Sequence, residues 1–197
     1  YYGKSVVIKE KLQDNKGLAS TFNNIGETYF YQANYNEALL SFRKSSSYGK
    51  DDDNNYDNER YIGMAHYYMG NYDSSNIYLN RADRYFSASK SKRLAILPYL
   101  IISHHMTEDT KSSENLLIEF KEIAKENDAD KKDFIIANWA SYQALNQLGQ
   151  QSEAREFLEN AYFEIKSRSR NIKNKTDRSK YLATSLHRDI ADAWNNK

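Results

Sequence analysis

No cysteine occurs among the 197 residues, so this chain can hold neither a disulfide framework nor a thiolate metal site, and cysteine usage assigns no redox compartment. Proline occurs once and glycine seven times. A chain so poor in helix breakers, rich in Lys, Glu, Asn, Ala and Leu and without a sustained alternating apolar pattern, reads as helix throughout. Excess charge of either sign is also missing. Lys and Arg total 28 against 27 for Asp and Glu, a formal net charge of +1, which gives no global drive toward nucleic acid and argues against it as the partner. The longest apolar run, Ala95-Ile-Leu-Pro-Tyr-Leu-Ile-Ile102, falls far short of the roughly 20 residues that span a bilayer and reads as a buried helix. Catalytic motifs are absent as well: there is no G-x-S-x-G, no H-E-x-x-H, no phosphate-binding glycine loop and no dinucleotide fingerprint. What the chain does have is 40% hydrophobic and 28% charged residues, an ordinary balance, and 17 tyrosines, several of which must reach the surface.

The strongest pattern lies between Leu18 and Ser45, where Phe22, Ile25, Gly26 and Tyr29 are followed by Ala38, Phe42 and Ser45. Phe22, Ile25 and Tyr29 recur at three- and four-residue steps and form one stripe of a first helix; Leu39 and Phe42 do the same on a second. Gly26 and Ala38 are small because two antiparallel helices joined by a short turn must approach closely there, and overpacking such a contact costs about 1–3 kcal/mol. The turn Gln32-Ala-Asn-Tyr-Asn36 carries Asn34 and Asn36, whose short amides suit both a turn and a helix N-terminus.

Thirty-seven residues on, the pattern returns: Ile62, Gly63 and His66, a turn at Gly70-Asn-Tyr72, then Ser75, Leu79 and Ala82. The acidic stretch Gly49-Lys-Asp-Asp-Asp-Asn-Asn55 before it reads as a solvent-side loop. A third copy is degenerate, with a helix from about Lys92 to Met106, a polar turn Thr107-Glu-Asp-Thr110 and a helix from about Lys111 to Lys125. Ser113, Leu117 and Phe120 fit its second helix, while Ile101 replaces the small residue of its first and Pro98 must kink or shorten that helix unless it lies in the first turn. In the fourth copy a helix from about Lys132 to Leu148 ends at Gly149, Asn127-Asp-Ala-Asp130 supplies its N-cap, and Ala154, Leu158 and Ala161 repeat the second-helix triplet. A last helix from roughly Asp177 to Asn195 carries the stripe Leu182, Leu186, Ile190, Trp194 and caps the stack or opens a fifth repeat. At the other end Tyr2 and Ser5 sit at the offset of Phe42 and Ser45, so the sequence starts inside a repeat and reads as a piece of a longer protein. The expected segments are 1–17 (second helix of a truncated repeat), 18–52, 56–89, 92–125 and 131–166 (four repeats) and 176–197 (the cap), together one domain over 1–197.

The order W-x2-L-G-x2-Y then A-x3-F, met in these copies, resembles the tetratricopeptide-repeat family along essentially the whole chain. The resemblance implies an all-α, right-handed α-solenoid of antiparallel helix pairs. Asn23-Asn-Ile-Gly26 and Ala33-Asn-Tyr-Asn-Glu-Ala-Leu39 are worded like the tandem arrays that form the sensor portion of bacterial histidine kinases and transcriptional regulators, but free-standing adaptors use similar wording, and both readings stay open beside a helical-repeat enzyme. In this family the first helix of each repeat lines a concave groove that binds a protein or peptide segment. The corresponding positions here are Asn23, Glu27 and Phe30; Arg60, Met64, Tyr67 and Tyr68; Ile102 and His105; and Trp139, Gln143 and Asn146. Arg60, Tyr67, Tyr68 and Trp139 are the expected anchors, since aromatic and arginine side chains dominate interface energetics. A carboxylate clamp of the chaperone-binding kind is disfavoured, because Glu27 would repel the ligand.

Other chemistry is sparse. Lys166, Arg168, Arg170, Lys173, Lys175, Arg178 and Lys180 form a basic stretch opposed by Asp177, able to contact phosphates or an acidic partner by counterion release; such runs ordinarily mark a solvated helix end and linker, and this one has no interleaved aromatics. His104 and His105 are adjacent and diverge by about 100° on a helix, so they cannot chelate as an i, i+4 pair would. His66 takes the place of Tyr29 and reads as a packed core residue, and His187 is isolated. No metal or cofactor is expected, and no catalysis. Terminal repeats leave self-association open, and the sequence does not fix the compartment: cytoplasmic, or periplasmic if this is the sensor of a membrane-bound regulator.

Overall fold

The computed structural model describes residues 2–49, 53–125 and 133–196. Among these, 84% are helical, in twelve α-helices and no strand, so the fold is all-α. The contacts gather into two compact units, one ending at Tyr85 and one beginning at Phe86. The acidic residues 50–52 and the expected cap at 127–130 lie outside the described residues.

Unit 1 holds α1 (Tyr2–Lys11), α2 (Asn15–Tyr31), α3 (Tyr35–Tyr48), α4 (Asp53–Tyr68) and α5 (Tyr72–Tyr85). Helices α2 and α3 pair as one hairpin and α4 and α5 as another, with α3 packed on α4 and α1 on α2. The seam of each hairpin is a glycine against a large side chain. A Cβ added to Gly26 would fall 2.6 Å from the Phe42 ring, and one added to Gly63 would fall 2.6 Å from Leu79 Cγ and 3.1 Å from the Leu79 backbone nitrogen. The residues matched to the second-helix pattern are buried almost completely: Ala38, Phe42 and Ser45 on α3, and Ser75, Leu79 and Ala82 on α5. Helix α1 is tied down by Lys9, whose ammonium donates to the Gly17 carbonyl at 3.0 Å and to Thr21 Oγ1 at 2.8 Å.

Unit 2 holds α6 (Lys90–Leu94), α7 (Leu97–Met106), α8 (Thr110–Ala124), α9 (Phe134–Gln147), α10 (Gln151–Asn171), α11 (Lys175–Leu182) and α12 (Ser185–Asn195). Two helices expected as single pieces are each divided. The first breaks into α6 and α7 because Pro98, which lacks an N–H and clashes with a preceding turn, is tolerated only in a first turn, and it occupies that place in α7. Every residue from Leu94 to Ile102 is buried, as expected of the apolar run. The second break separates α11 from α12 at Ala183 and Thr184, yet the apolar stripe survives it: Ile190 is fully buried, with Leu182, Leu186 and Trp194 half-buried around it. Helix α7 pairs with α8 and α9 with α10, α7 packs on α9, and α12 lies on α10. In α9 Tyr142 rather than glycine stands at the seam position, and Ala137, Ala140, Ser141 and Ala144 are buried. Ser113 and Ala154 hold the place of Ala38, and Ser113 Oγ donates to the Ile101 carbonyl at 2.9 Å.

One turn recurs in both units. An N–H donates to the carbonyl five residues back at Asp14 to Lys9 (3.0 Å), Asn34 to Tyr29 (2.9 Å), Asn71 to His66 (2.9 Å), Asp109 to His104 (2.9 Å) and Gln150 to Leu145 (2.8 Å). The residue before each donor is left-handed: Gln13 (φ 54°), Ala33 (φ 59°), Gly70 (φ 76°), Glu108 (φ 61°) and Gly149 (φ 77°). This is the Schellman end of a helix, which satisfies its orphan carbonyls. Asn34 stands at the N-cap of α3 but makes no side-chain capping bond; Asp14, Ser89, Asp109 and Asn174 make theirs, to Gly17, Lys92, Ser112 and both Thr176 and Asp177.

Two substitutions test these constraints in opposite directions. Gly63→Ala should lower stability by about 1 kcal/mol, since the overpacking cost of about 1–3 kcal/mol exceeds the helix-propensity gain of about 1 kcal/mol. Ala33→Gly should raise it by about 0.5–1 kcal/mol by relieving a left-handed alanine. Urea unfolding followed by circular dichroism measures both.

Candidate partner-binding surface

The residues marked for the groove divide by burial. Asn23 is 9% exposed and its amide donates to Asn58 Oδ1 at 2.9 Å; Asn58 in turn donates to Ser45 Oγ at 2.9 Å, and Ser45 donates to the Ala19 carbonyl at 2.8 Å. That chain of hydrogen bonds ties α2, α3 and α4 together at fixed register. Phe30, Met64 and Ile102 are buried, and so is Arg60, whose Nε lies 3.3 Å from Asp57 Oδ1 and whose guanidinium sits 4.5 Å over the Tyr61 ring. Trp139 is 7% exposed, stacks on Tyr142 and joins Ile135, Leu158, Ile165 and Ile190 in the core of unit 2. Glu27, Tyr67, Tyr68 and Gln143 are half-buried, while His105 and Asn146 are exposed.

In unit 1 Tyr67 and Tyr68 belong to a larger aromatic patch at the turns of its two hairpins. Phe30 is ringed by Tyr31, Tyr35, Tyr61 and Tyr68 at centroid distances of 5.4–5.8 Å. Tyr35 and Tyr68 stack at 5.4 Å, and Tyr67 meets Tyr68 and Tyr72 edge-on. Tyr31, Tyr35, Tyr67, Tyr68 and Tyr72 all keep part of their surface in water. Burial, with Tyr72 beside it, pushes the Tyr67 hydroxyl up to about 12, so it is a neutral phenol at any physiological pH. The patch therefore offers aromatic area with hydroxyl donors and no charge, the chemistry of a protein interface. Tyr31, Tyr35 and Tyr72 were not marked as candidates. A signal for them does exist in the sequence: Tyr31 and Tyr35 flank one turn as Tyr68 and Tyr72 flank the next, thirty-seven residues on.

Unit 2 carries an open cleft of about 530 Å³ beside α8 and α10, floored by Phe120, Leu145 and Phe157 and rimmed by Lys121, Lys125 and Glu156. A Lys121–Glu153 ion pair at 3.0 Å links the two helices. At its carboxy-terminal end His187 Nδ1 donates to the Tyr181 carbonyl at 2.6 Å, and the two rings are 4.3 Å apart. His66 stacks on Tyr78, and His104 contacts Asp109 Oδ2 at 3.0 Å; Asp109, bonded chiefly to Ser112 and also near His104, is held below the usual carboxylate range. Among the described residues no three His, Cys, Asp or Glu side chains are grouped to hold a metal ion, and no helix is long and apolar enough to cross a membrane. No protein-family model matches the chain, and no curated protein is significantly similar to it.

Two predictions follow from these contacts. Asn58→Ala removes the centre of the buried network and strands the Asn23 amide, so it should cost about 1–3 kcal/mol, read as a lower urea midpoint at unchanged slope. His187 and His66 are both held below the ordinary 6.5, first by burial. The unfolded chain thus binds protons that the folded chain refuses: stability is full above 6.5 and declines as pH falls through that value toward the lowered ones. Melting temperature between pH 8 and 5 should show this decline, and His187→Gln should flatten it.

Proposed function

We propose that this chain is a non-catalytic binding module of the tetratricopeptide type, which takes a protein or peptide segment and serves as the sensor or regulatory part of a larger bacterial signalling protein. The observation that carries the binding role is the half-exposed tyrosine patch of unit 1, built from Tyr31, Tyr35, Tyr67, Tyr68 and Tyr72. Tyrosines that are held rigid by ring contacts yet still reach water lose little entropy on binding and supply large contact area. The family assignment is supported by the hairpins in which Gly26 meets Phe42 and Gly63 meets Leu79, and by the turn geometry shared by four hairpins. In that family the hairpins stack with a right hand. A free-standing adaptor would use the same patch, and the open reading frame that encloses this sequence separates the two: a kinase or DNA-binding segment supports the regulator, and repeats alone support the adaptor.

Displayed random peptides selected on the purified chain, then measured by calorimetry, test the binding role. Tyr31→Ala with Tyr72→Ala should weaken a selected peptide by about tenfold or more while leaving helicity intact, consistent with the about 2 kcal/mol typical of a hot-spot residue. Equal affinity in the folded double variant overturns the site. Turnover of phosphatase or hydrolase substrates by the purified chain overturns the non-catalytic reading.

A further inference from the structure

The charge of unit 2 is concentrated at one end. Residues 164–180 hold seven basic side chains against Glu164 and Asp177, a formal charge of +5 in a chain whose total is +1. The structure sorts these cations into two kinds. Arg168 pairs with Glu164 at 2.7 Å, and Arg178 donates from both Nε and Nη2 to the Ile172 carbonyl at 3.0 and 2.8 Å, clamping the loop between α10 and α11. Asn174 fixes the other side of that loop by accepting from Thr176 and Asp177. Arg170, Lys173, Lys175 and Lys180 are exposed and make no ion pair among the described residues. Helix polarity accounts for cations at the last turn of α10, but Lys175 opens α11 and Lys173 just precedes its N-cap Asn174, where the macrodipole disfavours cations. Folding stability does not explain their placement.

An aromatic platform adjoins the α10 end of the run, at Lys166 and Arg170. On α10 the buried positions Ala154, Leu158, Ala161, Ile165 and Ser169 form the inner face. Phe163, Lys166 and Arg170 lie on the opposite face within one helical stripe. Phe163 is 52% exposed and rests edge-on against Trp194 at 5.4 Å; Trp194 is itself stacked on Tyr162, over which the Lys166 ammonium lies at 5.4 Å. The basic run therefore has the aromatic neighbour that the linear sequence did not show.

We propose that this end of unit 2 docks a single-stranded nucleic acid, with Lys166, Arg170, Lys173, Lys175 and Lys180 on successive phosphates and a base against Phe163. The chemistry favours this occupant over two others. A carboxylate-rich peptide is best met by arginine forks, and two of the three arginines here are engaged within the protein. A membrane surface requires an apolar face to insert, and Phe163 is the one large hydrophobic residue of 164–180 and its flank that is exposed. Point-charge lysines beside an aromatic face match a flexible phosphate chain, whose affinity comes from counterion release and stacking.

Fluorescence anisotropy of a labelled oligothymidylate against the full chain tests the proposal. Binding at about 50 mM salt should weaken with a log–log salt slope of about −3.5 for five phosphate contacts. Lys173→Glu with Lys175→Glu should reduce both the affinity, by about tenfold or more, and the slope, by about 1.4. Phe163→Ala should weaken binding about fivefold or more at unchanged slope. Lys173 and Lys175 are exposed, so an unchanged melting temperature is the control for the double reversal; Phe163→Ala, which also loses the Trp194 contact, is compared well below its melting temperature. Absence of binding at low salt, a slope indifferent to the double reversal, or equal competition by polyglutamate or anionic vesicles overturns it.

Discussion

How closely two helices can pair is set by the bulkiest atoms on their facing sides, and in unit 1 Gly26 and Gly63 set that limit. Each leaves room for one large partner, the Phe42 ring or the Leu79 isobutyl group, with no space for even a methyl between them. The rest of the unit depends on that approach. With α2 and α3 drawn together, Ser45 reaches the Ala19 carbonyl, and through Ser45 the next helix is held by Asn58. Phe42 then lies flat on Tyr61 at 5.2 Å, which carries the packing from one hairpin into the next. A side chain at Gly26 would push against the Phe42 ring from which these contacts follow.

The buried amide network does something that apolar packing alone does not. Leucine and phenylalanine tolerate small sliding of one helix past another because dispersion is non-directional, whereas Asn23, Asn58 and Ser45 satisfy one another in only one register. Burying three polar groups is favourable only with every bond made, so the network penalises each misaligned stacking more than it stabilises the correct one. Unit 2 has no counterpart glycine at these positions; Ile101 and Tyr142 stand in their place.

Much of this was legible in the chain because it depends on local spacing. The triplets Ala38-Phe42-Ser45, Ser75-Leu79-Ala82 and Ala154-Leu158-Ala161 occupy buried positions on their second helices, since a helix packed against its hairpin partner has one inner face and the period of 3.6 marks it. The candidate surface was harder to read. Whether Asn23 or Arg60 faces water depends on what lies on top of it, and a polar side chain in a buried hydrogen-bond network looks the same in sequence as one in solvent. The two helix breaks follow the same logic: Pro98 announces a boundary whose position only packing decides, and Ala183-Thr184 carries no strong breaker at all. Phe163 escaped notice beside the basic run because α10 brings it to Lys166 and Arg170 by helical spacing rather than by adjacency.

The tyrosines show how repetition turns packing residues into a surface. Both hairpins of unit 1 place a bulky residue before the turn and another just after it. Tyrosine fills those places at Tyr31 and Tyr35, and again at Tyr68 and Tyr72. Stacking the hairpins brings the two sets together, as Tyr35 on Tyr68 shows, so residues chosen singly for closing turns become a continuous aromatic patch. Phenylalanine would close the turns equally well but would leave bare apolar area at the surface; the hydroxyls keep the patch wet without adding charge. The same repeat period that builds the core therefore also sets the spacing of the tyrosines in the patch.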